Sequence, residues 1–89
     1  MTVTRTVQIT NRRGLHARAS AKFVTMAAAQ PIEVNVEKDG SRVTGTSIMG
    51  LMMLGAAEGD SITISADGDG AEAAVEALVA LVEGKFGED

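Results

Sequence analysis

The sequence predicts an α+β chain, a two-layer sandwich in which a four-stranded antiparallel sheet is covered on one face by helices. Three observations predict it. Four short runs alternate apolar with polar residues, the period of a half-buried strand. Between them lie segments with apolar residues at i, i+3, i+4 and i+7. Only one junction carries a tight-hairpin signal, so helices make the other connections. The order is β-α-β-β-α-β-α, and no linker or internal repeat divides residues 1–89, which read as one domain.

Each element has its own signal. Val3, Val7 and Ile9 alternate with Thr4, Thr6, Gln8 and Thr10, with Arg5 the one interruption on the apolar side. Asn11-Arg12-Arg13-Gly14 is a loop, and from Ala17 to about Ala29 the period becomes helical, with Ser20, Phe23, Val24 and Ala27 on one face. Pro31 closes that helix, because the residue before a proline avoids the α region. Ile32, Val34 and Val36 then alternate with Glu33, Asn35 and Glu37, and Asp39-Gly40 supplies the positive-φ pair of a type I′ turn into a short strand over residues 41–45. Ile48 to Leu54 is a short apolar helix, with Thr46 or Ser47 as N-cap and Gly55 as its C-terminal glycine. Ile62, Ile64 and Ala66 mark the fourth strand. The last helix, from about Ala71 to Glu83, turns Val75, Leu78, Val79 and Val82 inward and Glu72, Glu76 and Glu83 outward, and Gly84 and Gly87 are expected to let it fray.

Composition removes whole classes of chemistry. The absence of cysteine excludes disulfides, thiol catalysis and Cys-based zinc sites, a single histidine excludes a His-rich metal site, and no calcium-loop spacing is present. No metal or cofactor is therefore expected. With only Phe23 and Phe86 as aromatics, a base-stacking surface is not expected either. Residues 1–22 hold five cations and no acid, whereas residues 23–89 hold three cations and all twelve acids. The early cations form a patch suited to an anion or an acidic partner, and the acidic remainder argues against nucleic acid. The start lacks a signal-peptide pattern, and the apolar stretch over 48–57 is too short to span a bilayer. A cytoplasmic protein without membrane insertion is the expectation.

The only histidine, His16, sits in Gly14-Leu15-His16-Ala17-Arg18. The imidazole directly precedes a helix, where unpaired backbone N–H groups and the helix dipole favour an anion. Such a place favours a neutral, nucleophilic ring and then stabilises a phosphate carried on it. Arg18 is a guanidinium two residues further on, able to match phosphate oxygens bidentately. No acid falls in the first 32 residues to orient the ring locally, so a carboxylate partner would have to come from a distance through folding. Ser47 caps the short helix, which has a surplus of methionines at Met49, Met52 and Met53; they read either as core filling or as an adaptable docking surface. A phosphate on Ser47 would repel an acidic partner without unfolding the helix.

These two motifs, Gly14-Leu15-His16-Ala17-Arg18 and Thr46-Ser47-Ile48-Met49-Gly50-Leu51-Met52-Met53-Leu54, resemble those of the HPr family, the histidine-containing phosphocarriers of the bacterial phosphoenolpyruvate-dependent phosphotransferase system. The resemblance covers nearly all of residues 1–85. It implies an open-faced β-sandwich with three helices. It implies that His16 accepts a phosphoryl group on Nδ1 from phosphorylated enzyme I and passes it to an enzyme IIA-type protein. It also implies that Arg18 assists the transfer, that the backbone N–H groups of Ala17 and Arg18 hold the phosphate, and that Ser47 is the regulatory serine of an HPr kinase/phosphorylase. Arg18, Ser47, Met49, Leu51 and Met52 form the expected docking face. The protein is then a monomeric carrier in a relay rather than a free-standing enzyme. The other reading is a non-catalytic regulatory module that controls partner enzymes through the same face. Ala19 in place of a proline, together with Thr46, is similar to the nitrogen-related branch. Arg13 stands where many members have a small polar residue near the phosphate. The tail from Lys85 has no assigned role.

Overall fold

Period-two alternation becomes four strands in the computed structural model, which describes residues 1–88. They are β1 (Thr2–Gln8), β2 (Val34–Lys38), β3 (Ser41–Thr44) and β4 (Ser61–Asp67). All pairings are antiparallel and the spatial order is β1-β4-β2-β3, so the last strand lies between the first and the second. Register follows burial: Val7 faces Ile62, Val36 faces Ile64, and Val34 faces Ala66, which puts every apolar row on the same side. Arg5, the exception on that side, pairs with Glu76 of the covering helix at the rim. The opposite face is polar and uncovered; the Thr6 and Thr63 hydroxyls share a hydrogen bond across it.

The covering layer consists of α1 (Ala17–Ala28), α2 (Ile48–Met53) and α3 (Ala71–Glu83). Helix α3 lies over β1 and β4, and α1 packs against both α2 and α3. Phe23 from α1, Leu78 and Val75 from α3, and Leu51 from α2 are fully buried against Ile62, Ile64 and Val36 of the sheet. The interior is thus an open-faced sandwich filled almost wholly by aliphatic side chains.

The turn at Asp39-Gly40 has positive φ at both residues, 50° and 84°, as a type I′ hairpin requires. Two expectations are corrected. Ile32 lies outside β2 and is half-buried: the register would set it opposite Gly68, where β4 has already ended. The end of α3 also does not fray. The chain continues into a 3-10 turn over Lys85–Gly87, in which Phe86 is buried and its carbonyl accepts from Lys22 Nζ at 2.7 Å. Lys85 and Phe86 both take positive φ, an unfavourable conformation for these residues that burial of the phenyl ring offsets.

Candidate functional site

The site begins with the backbone of the loop after β1. Asn11 is completely buried, and its side-chain amide donates to the Gly14 carbonyl at 2.8 Å, closing the loop over the two exposed arginines. Gly14 takes φ of 65°, and any Cβ there would run into the backbone of Ala56 and lie 2.8 Å from the Ala57 Cα. Its carbonyl-side neighbour Leu15 is buried and donates its N–H to the Ala56 carbonyl at 2.9 Å. The chain is therefore pinned on both sides immediately before His16.

His16 is the N-cap of α1, with extended backbone (φ −72°, ψ −179°). Its Nδ1 accepts the Arg18 backbone N–H in a long bond of 3.3 Å, while its carbonyl accepts from Ser20 N. The helix itself offers no acceptor to the N–H groups of Ala17, Arg18 and Ala19 in its first turn, and of these the Arg18 N–H meets Nδ1. The other ring nitrogen, Nε2, lies 2.9 Å from Glu88 Oε1 and 3.2 Å from Oε2. The same Oε1 accepts from Asn11 Nδ2 at 2.9 Å. Those two contacts, the Asn11 amide first and His16 second, hold the Glu88 carboxyl below its ordinary range. A carboxylate only accepts, so the bond at Nε2 places the proton there. Nδ1, which accepts an N–H, is the unprotonated nitrogen and carries the lone pair. The ring side chain is 21% exposed, enough for an attacking group to reach it.

Arg12, Arg13 and Arg18 line a cleft of about 310 Å³ that Glu88 closes on one side. Three guanidinium groups around one small opening form an anion site by charge alone. Among the described residues no group of three or more His, Cys, Asp or Glu side chains stands together in a way that would hold a metal. Among the described residues no helix is long and apolar enough to cross a membrane.

Ser47 is the N-cap of α2: its Oγ accepts the Gly50 N–H at 3.0 Å. Beyond it, Met49 (68% exposed) and Met53 (80%) are open to solvent, and Ile48 and Met52 are exposed as well. This favours a surface role over core filling for the methionines. Leu51 corrects the expected docking face, because it is fully buried in the core and has no surface to offer; the exposed apolar side chains of this helix include Met53 and Ile48 instead. Since α2 packs on α1, the apolar patch adjoins the helix that His16 opens.

Two residues of the site went unnoticed in the sequence. Asn11 had a signal of sorts, since Asn at the start of a Gly-containing loop locks such turns through its side chain. Glu88 had none: it is 72 positions from His16, and the buried Phe86, held by Lys22, brings it back.

A polar-backed, open-faced sandwich with an accessible histidine capping a helix beside a cationic cleft defines a class of small α+β proteins built around a single imidazole. The family model for "PTS HPr component phosphorylation site" matches residues 3–84. A phosphocarrier protein HPr of Neisseria meningitidis is 51% identical over 82 residues, covering 92% of each chain. A phosphocarrier protein NPr of Shewanella violacea is 38% identical, covering 94% of this chain and 92% of the relative. Among solved structures, HPr-C-His from Thermoanaerobacter tengcongensis superimposes with a TM-score of 0.92 at 46% identity, covering 98% of both chains. The chain belongs to the HPr family, the phosphocarriers of the phosphotransferase system. Both the HPr-named and the NPr-named relatives match over more than nine tenths of this chain.

Proposed function

We propose that this protein takes a phosphoryl group onto His16 Nδ1 from phosphorylated enzyme I and hands it to an enzyme IIA-type acceptor. The observation that carries this reading is the Nδ1 lone pair, held at the start of α1 by a long 3.3 Å bond. That bond is weak enough to yield to an incoming phosphorus. Once the bond to phosphorus forms, the N–H groups of Ala17 and Arg18 at the helix end hold the phosphate, and the Arg18 guanidinium neutralises its charge. Arg12 and Arg13 steer the acidic donor and acceptor. In this reading the carrier acts as a monomer.

Docking uses Arg18 together with the apolar patch of Ile48, Met49, Met52 and Met53. Ser47 borders that patch, so phosphorylation by an HPr kinase/phosphorylase would set about two negative charges at its edge and weaken association with acidic partners. The second reading, a regulatory module without phosphotransfer, draws on the same exposed patch.

Incubation with phosphoenolpyruvate and enzyme I separates the two. An acid-labile, base-stable phosphate that appears on the wild type and is missing from His16→Ala supports the carrier. Absence of label while a known carrier is loaded in parallel leaves the regulatory module.

A further inference from the structure

The geometry points to Glu88 as a positioning residue for phosphoryl transfer, its carboxylate fixing the His16 ring with the proton on Nε2 and the lone pair on Nδ1. The inference rests on the carrier reading for its kinetic half only; the ring's protonation pattern stands independently of it. Three observations carry it. The carboxylate spans both contacts to Nε2, at 2.9 and 3.2 Å, so the imidazole is held in orientation as well as in tautomer. The buried Asn11 amide holds the same carboxylate oxygen at 2.9 Å, so Glu88 is itself anchored. Finally, the segment that delivers Glu88 is tied down by the buried Phe86 ring and by Lys22 on the Phe86 carbonyl, at 2.7 Å. An amide, a carboxylate and an imidazole in line reproduce the logic by which a buried acid orients a catalytic histidine.

The consequence for chemistry follows from electron bookkeeping. When the Nδ1 lone pair forms the bond to phosphorus, the donor's bond to phosphorus breaks and its electron pair leaves with the donor. The Nε2 proton stays in place, and the ring becomes cationic. Glu88 faces that new positive charge across a hydrogen bond and stabilises it. The three arginines of the cleft act on the other side of the reaction, on the phosphate oxygens. Glu88 lines the cleft with those arginines as well as touching the ring, and transfer rates distinguish a positioning carboxylate from a plug.

The experiment compares the full-length wild type with Glu88→Ala and Glu88→Gln, each checked for an unchanged backbone amide spectrum. Ring-nitrogen NMR at neutral pH should show a slowly exchanging Nε2–H resonance in the wild type that is lost in Glu88→Ala. Phosphoryl uptake from phosphorylated enzyme I should fall roughly tenfold in Glu88→Ala, the size expected for losing one charge-assisted hydrogen bond. Glu88→Gln, which keeps shape but not charge, should lie between the two. Uptake unchanged in Glu88→Ala overturns the inference, whether or not the resonance disappears. Faster uptake also overturns it and makes the tail a plug. A wild type that does not load at all sinks the carrier reading instead, and the Nε2–H resonance then still decides whether Glu88 fixes the ring.

Discussion

Helices α1 and α2 both begin with a side chain that accepts a backbone N–H, His16 Nδ1 from Arg18 and Ser47 Oγ from Gly50. The capping device is the same, and the surroundings differ. His16 opens a 12-residue helix with exposed arginines at its entrance. Ser47 opens a 6-residue helix that shows solvent mostly methionine. The better capping residue, serine at 3.0 Å, sits where the helix is short and needs it. The poorer one, imidazole at 3.3 Å, sits on a helix of 12 residues supported by packing against α2 and α3. The stronger cap is thus at the α2 end, while at the α1 end Nδ1 is only loosely engaged.

The largest effect expected from breaking this contrast is His16→Ala, which should abolish phosphoryl loading while shifting thermal stability little. Next, Arg18→Ala should slow uptake roughly ten- to a hundredfold, the range for a lost charged hydrogen bond, with the circular dichroism spectrum unchanged. Ser47→Asp should reduce uptake by about tenfold by placing charge beside the docking patch. A rate equal to wild type would reduce Ser47 to a cap alone. Ser47→Ala reverses the pattern: about 1 kcal/mol of stability is lost, read by urea denaturation, and loading is retained.

The smallest effect concerns acid. The Glu88 carboxyl is depressed below its ordinary value of 4.5 by the Asn11 amide and then by His16. A depressed acid adds stability that is fully present above its unfolded value and disappears as pH falls through the folded one. The tail should therefore stay docked at neutral pH and through mild acid. It should detach only below the ordinary carboxylate range, which the Phe86 ring resonances would register. Asn11→Ala should move that detachment to higher pH.

The fold was legible because its signals are local. Alternation in Ile62-Thr63-Ile64 and in Val34-Asn35-Val36, and the dipeptide Asp39-Gly40, each dictate a backbone shape within a few residues. His16 was legible for the same reason, since the start of the helix lies in its own neighbourhood. Glu88 was not. Its role depends on two residues of unfavourable φ and on a phenyl ring that finds room beneath α1 and α3, which no periodicity encodes. Leu51 misled in the opposite way: in a helix apolar nearly all round, sequence alone does not say which side faces the core.

The uncovered side of the sheet offers a practical freedom. Thr4 is exposed there, on the far side of the strands from the reactive ring, and the chain has no cysteine of its own. A Thr4→Cys variant would accept a single dye or tether at one known spot. The protein could then be watched, or fixed to a support, without obstructing the layer that carries His16.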